Sequence, residues 1–177
     1  MQLTRDNFER LALEHLDAVY RVATTLARNS VEAEDLAQET YVRALEAADG
    51  FELREYGIKP WLLRILHNVY VTRSKREARQ PKAVEDEHLH AVASADSEST
   101  LPGGEWEANE ELAHAMEQLT PDLRMVLTLW SVDELSYKEI AEVMEVPMGT
   151  VMSRLHRARQ RLRELLEAAS GPAASKE

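Results

Sequence analysis

The chain has 177 residues, 44 % apolar and 30 % charged, with a net charge of −11 and no cysteine. That size allows one ordinary domain or two small ones, and the composition is that of a soluble, helix-rich protein. It excludes disulfides, a thiolate nucleophile and Cys-ligated zinc, and a membrane span needs about 18 apolar residues where the longest uncharged apolar candidate, Met125 to Val132, has eight. The N-terminus lacks the basic-then-apolar layout of a secretory signal, so the expected address is the cytoplasm.

Taken in chain order, Asp6-Asn7-Phe8-Glu9 has the spacing of a capping box, and Phe8, Leu11, Ala12, Leu16, Val19, Ala23 and Leu26 recur at three and four, predicting a first helix. A second is predicted from Ser30, with Glu32, Glu34 and Asp35 where acids favour a helix N-terminus, and with Gly50 at its end. A third begins near Pro60, buries Trp61, Ile65, Leu66 and Val69, turns basic at Arg73, Lys75, Arg76 and Arg79, and stops before Pro81. Residues 81–105 have no apolar period and read as a flexible acidic linker. A helix from about Glu105 offers Trp106, Leu112, Ala115, Met116 and Leu119; Thr120-Pro121 then starts another, burying Leu123, Val126, Leu127 and Trp130. Ser136-Tyr137-Lys138-Glu139 is a capping box opening a short helix, and a turn ending in Pro147 leads to a last helix over about 148–168. Residues 170–177 are expected to be a disordered tail. The fold class is therefore all-α, as two small helical domains joined by the linker.

The charge is unevenly placed. Residues 59–82 carry seven Lys/Arg and one acid, residues 83–118 ten acids and no Lys or Arg, and residues 148–177 a net of +3. Two basic patches in an acidic chain point to nucleic acid at specific places. Two short helices joined by a tight turn, the second one basic, form a helix-turn-helix pattern. On the last helix Val151, Leu155, Ala158, Leu162 and Leu165 face inward. The opposite face shows Gly149, Met152, Ser153, His156, Arg157 and Gln160, flanked by Arg154, Arg159, Arg161 and Arg163. A groove-entering helix needs small residues at its N-terminal end, then base-edge donors, then Arg for phosphates.

Three stretches resemble the extracytoplasmic-function (ECF) sigma factors of the sigma-70 family. Residues Ile140 to Arg159 are similar to region 4, Ala33 to Ala44 to region 2.2, and Pro60 to Asn68 followed by Arg73 to Arg79 to regions 2.3 and 2.4. They come in the family's order. The resemblance implies a region 2 domain over 1–80 and a region 4 domain over 106–169, and it implies partners: core RNA polymerase (β′ clamp helices and β flap), promoter DNA, and an anti-sigma factor. It implies core-polymerase contacts at Asp35, Gln38, Glu39 and Tyr41. For the −10 element it implies Trp61, Arg64, Asn68, Thr72, Arg73, Lys75 and Arg76, although Trp61, spaced from Ile65 as a core residue, fits packing better than base stacking. For the −35 element it implies Gly149, Thr150, Met152, Ser153, Arg154, His156, Arg157, Arg159 and Arg161. Met152 stands where many relatives carry Lys or Arg, and Glu145 occupies a turn position often held by Gly.

The implied protein is a monomer when free, is not an enzyme and needs no cofactor or metal. His88, His90 and His114 with Glu110 and Glu111 suit a ligand set by type, but the first two fall in a polar linker without a rigid frame. The alternative function is a helix-turn-helix regulator with an N-terminal dimerisation or ligand-binding domain, which predicts a dimer on a palindromic site.

Overall fold

The computed structural model describes residues 4–79 and 110–169, with no β-strand among them. The predicted 81–105 linker, the 170–177 tail and residues 105–109 with Trp106 lie outside the described residues.

The first predicted helix is two: α1 (Arg5–Leu13) and α2 (Leu16–Leu26). The chain tightens at Glu14 and His15, where the His15 N–H donates to the Ala12 carbonyl, and the Tyr41 hydroxyl donates to the same oxygen at 2.8 Å. The bend lets Phe8 and Ala12 join Val19, Val22, Ala23 and Leu26 in the core, while Leu13 and Leu16 at the corner stay exposed. The expected box at Asp6 does not form, because Thr4 is the residue at the cap position. The second helix, α3, spans Ser30–Glu46, and its cap is Asn29, whose side-chain oxygen accepts the Glu32 N–H at 2.8 Å. It ends before Gly50, which instead closes a single 3₁₀ turn, Ala48–Gly50.

Helix α4 (Lys59–Arg79) starts with Pro60 in its first turn, as the missing N–H permits. It buries Leu62, Leu63, Leu66, His67, Val69 and Tyr70, a broad arc that marks packing on two sides. One side meets α2 and α3. The other meets α6 (Pro121–Ser131) and α7 (Tyr137–Met144). The C-terminal half is completed by α5 (Glu110–Glu117) and α8 (Met148–Ala169), with Met125, Val126, Leu129, Ile140, Val143, Val151, Leu155 and Ala158 at its centre. Arg124 ties these pieces together: its guanidinium donates to the Met116 carbonyl at 2.8 Å, to the Glu117 carbonyl, and to the Leu26 carbonyl at 3.4 Å. A cation at two helix C-termini also complements their dipoles.

The two halves are thus docked. Beside the apolar packing of α4 on α6 and α7, their contact includes acids of the C-terminal half set against bases of the N-terminal half. Asp133, with its side chain 2 % exposed, receives Arg21 at 3.2 Å and Lys59 at 2.7 Å. Lys59 approaches outside the hydrogen-bonding direction, so that contact is an ion pair. Arg64 lies 3.5 Å from Glu145 and Arg54 lies 3.8 Å from Glu142.

Removing one member of a buried pair leaves its partners uncompensated, although Arg21 and Lys59 keep nearly a third of their exposure and stay partly hydrated. Asp133→Ala is expected to cost about 1–3 kcal/mol of stability. In a chain already carrying Arg21→Ala the same change is expected to cost less, because the two residues share one interaction. Urea unfolding of the four chains of this cycle checks both, and additive costs would show that the pair is not coupled.

Candidate functional site

Three surfaces carry the residues singled out above. On α3, Asp35 and Gln38 are exposed on one face, three residues apart, with Val42 beside them. Glu39 is engaged instead. Its carboxylate accepts both Arg43, one turn on, and Arg73 of α4, whose Nε lies 2.9 Å away; Arg73 also donates to the Asp35 carbonyl at 3.3 Å. The Arg73 guanidinium holds the Glu39 carboxyl below the usual carboxylate range. Tyr41 turns inward to α1, and burial pushes its hydroxyl up to about 12.

On α4, Asn68, Thr72, Lys75, Arg76 and Arg79 are exposed, and Thr72, Lys75, Arg76 and Arg79 border an open depression of about 430 Å³. Arg64 is half-buried against Glu145. The Trp61 ring packs edge-on against Phe8 at 5.7 Å and Phe51 at 4.9 Å, so it helps to anchor the loop before α4 to α1.

The third surface is α7, its turn and α8. The capping box forms as the sequence predicts: the Glu139 N–H donates to Ser136 Oγ at 3.3 Å and the Ser136 N–H donates to the Glu139 carboxylate at 2.9 Å. Glu145 closes α7 in the left-handed region with φ 54° and ψ 43°, a strain of about 1 kcal/mol for a residue with a Cβ. That turn aims α8, whose Val151, Leu155 and Ala158 are buried while Met148, Gly149, Met152, Ser153, His156, Arg157 and Arg161 are exposed; Thr150 is half-buried. Arg154 is drawn back to Asp122 of α6 at 3.2 Å, and the Arg159 guanidinium lies over the Trp130 ring, 5.2 Å from its centroid. Both are held by intramolecular partners in this arrangement.

Among the described residues no three His, Asp or Glu side chains gather as a metal site, and no helix is long and apolar enough to cross a membrane. His88 and His90 lie outside those residues.

Sequence reasoning passed over three of the acids that join the halves, Asp122, Asp133 and Glu142, and read the fourth, Glu145, only as a turn residue. Their signal was weak, a segment of net −4 at residues 119–147 in a chain whose α4 is basic.

A helical chain with one outward-facing helix in a helix-turn-helix defines a protein built to read a DNA groove. The comparisons define it further. Residues 11–80 match the sigma-70 region 2 family and residues 109–162 match sigma-70 region 4. The chain is 30 % identical to the ECF RNA polymerase sigma factor SigW of Bacillus subtilis, over 92 % of this chain and 90 % of that protein. It is 32 % identical to the ECF sigma factor SigE of Mycolicibacterium smegmatis, over 93 % of this chain and 63 % of that longer protein. Its fold is similar to the sigma factor RpoE solved in complex with the anti-sigma factor NepR from Bartonella quintana (TM-score 0.69, 29 % identity, 92 % of this chain and 98 % of that one). It also shares the fold of CnrH, solved with the cytosolic domain of CnrY (TM-score 0.65, 24 % identity, 93 % and 90 % of the two chains). The chain belongs to the ECF sigma factors of the sigma-70 family, and the regulator alternative is not favoured.

His67 sits at the seam of the halves, buried on α4, with Nε2 unpaired at 3.9 Å from Asp122. Burial lowers its pKa, more than the nearby Asp122 raises it. An imidazole depressed in the folded state gives its full support above its ordinary range, and that support is lost as pH falls through it, because the unfolded chain takes the proton first. Urea midpoints at pH 7.5 and 5.5 are expected to fall less for His67→Gln than for the wild type. An equal fall in both would show that His67 does not set this dependence.

Proposed function

We propose that the chain binds core RNA polymerase through the exposed face of α3, contacting the β′ clamp helices there and the β flap with its C-terminal half, and directs initiation at specific promoters. The observation that carries the reading is that both sigma regions occur in one chain in family order, with Asp35 and Gln38 exposed on α3 and the outward face of α8 unobstructed. In this reading residues 1–80 act at the −10 element, with Asn68 at a base edge and Thr72, Lys75 and Arg76 along the backbone. Residues 106–169 act at the −35 element, where Ser153, His156 and Arg157 face bases and Arg161 faces phosphates. Residues 81–105 tether the two, and 170–177 form a tail. The role is non-catalytic and cytoplasmic, and the free protein is a monomer. Because RpoE, similar over 92 % of this chain, was solved with the anti-sigma factor NepR, an anti-sigma factor is proposed as a partner here too.

Distance imposes a condition on this mechanism. The −10 and −35 elements are roughly 25 base pairs apart, about 85 Å at 3.4 Å each. The halves are docked, with Arg64 3.5 Å from Glu145, and a compact body of this length is only about 40 Å across, short of the span between the two elements. The thirty residues between Arg79 and Glu110 can span up to about 100 Å when extended, enough to let the halves part. Parting would also release Arg64 from Glu145 for the DNA backbone.

The structure makes one test of polymerase binding cleaner. Glu39 braces α3 against α4, so changing it would disturb folding as well as docking, whereas Asp35 and Gln38 are exposed. Asp35→Lys with Gln38→Ala is expected to weaken core binding by tenfold or more, about 1.4 kcal/mol, with an unchanged circular dichroism spectrum. Co-elution with core polymerase at micromolar concentration checks this. A wild-type chain that neither co-elutes nor supports run-off transcription would overturn the reading.

A further inference from the structure

The outward face of α8 contains an apolar element that hydrogen bonding to bases does not use. Met148 and Met152 lie one turn apart, 42 % and 45 % exposed, on the first two turns of a helix whose opposite face is fixed by buried Val151 and Leu155. Solvent gains nothing from two thioether side chains held in water, and no fold contact requires them to be this exposed. Between them is Gly149, where an added Cβ would meet nothing within 4 Å. Glycine costs a helix up to about 1 kcal/mol against alanine, and here no neighbouring atom in the molecule requires the small residue. What the missing Cβ leaves open is room for something outside the chain to approach the backbone. Ser153 and Arg157 border the apolar strip, and Arg161 continues the basic side, so the occupant that fits is anionic overall and locally apolar.

Duplex DNA presents one such feature in the major groove, the C5-methyl group of thymine, set among hydrogen-bonding edges and flanked by phosphates. The N-terminal residues of a recognition helix are those that reach base edges. Methionine suits a methyl contact because its flexible, polarisable side chain adapts its shape and brings no unpaired polar atom into the groove. An Arg or Lys at the same position would favour a guanine or a phosphate instead. We propose that Met152, flanked by Met148, is a specificity determinant of this chain, reading thymine methyl groups at the −35 element. The proposal rests on the sigma-factor reading, and it adds a preference for thymine at a position where an Arg or Lys would turn to a guanine or a phosphate.

Deoxyuridine differs from thymine only by that methyl, so replacing one by the other probes the contact without altering base pairing. The experiment first selects a −35 sequence from a randomised duplex library with holoenzyme made from core polymerase and the full chain. It then measures affinity for the selected promoter with each −35 thymine replaced singly by deoxyuridine. At one or two positions the wild-type holoenzyme is expected to lose about three- to fivefold, equivalent to about 0.6–1 kcal/mol, the size of one buried carbon. Holoenzyme with Met152→Ala is expected to bind the thymine and deoxyuridine promoters alike, while Met148→Ala is expected to retain most of the difference. A selected element without thymine overturns the proposal. So does a wild-type holoenzyme indifferent to every replacement, which would leave the strip to a protein partner, or a Met152→Ala holoenzyme as sensitive as the wild type. Failure to select any sequence in the presence of core polymerase is a distinct result: it overturns the sigma-factor reading itself, and this proposal with it.

Discussion

Asp133 lies almost wholly out of water between the N-terminal and C-terminal halves, and its charge is tolerable there because Arg21 and Lys59 meet it. An isolated buried carboxylate would cost several kcal/mol, so the two cations are a condition of the docked arrangement. Around that point the other acid–base contacts are looser and wetter, as at Arg54 with Glu142 and Arg64 with Glu145, each with at least one partner more than 60 % exposed. Pairs of that kind contribute little stability and mostly select orientation. The halves are therefore held by apolar packing of α4 against α6 and α7, keyed by one buried anion. A seam keyed in this way is compatible with the proposal that the halves part on polymerase.

The same economy runs through the reading surfaces. Arg154 and Arg159 could face DNA by position on α8, yet one is drawn to Asp122 and the other lies on Trp130. Arg73, on the basic helix α4, is spent on Glu39 and the Asp35 carbonyl. That last contact links the side of α3 proposed to meet polymerase to the helix proposed for the −10 element. The residues left exposed, Asp35 with Gln38, Asn68 with Thr72 and Lys75, and Ser153 with Arg157, lie on three different helices that share one core in the docked arrangement.

Much of this was legible in the sequence because it is local. The inward stripe of α8, the box at Ser136 and Glu139, and the unusual turn at Glu145 all depend on residues within a few positions of each other. The break at Glu14 and His15 was not legible, because the apolar period of three and four continues across it, and the hydroxyl that binds the Ala12 carbonyl comes from Tyr41, 29 positions away. Asn29 caps α3 although Ser30, where the sequence predicts the helix to start, is also a capping type, because both can accept the bond and only backbone geometry decides between them. The pairing of Arg21 with Asp133 spans 112 positions. Charge counting showed that acids and bases were segregated along the chain, but no pattern within either segment told which acid would be buried and which would stay in solvent.

The central claim is that the free protein is docked through this seam and parts on polymerase. The chain has no cysteine, so single cysteines can be placed at exposed Glu46 of α3 and Gln160 of α8 and labelled for energy transfer. The account predicts high transfer in the free protein, lower transfer in the Asp133→Arg variant, and a loss of most transfer when core polymerase is added to the wild type. Unchanged transfer on binding core polymerase, in a sample shown to initiate transcription, would contradict it.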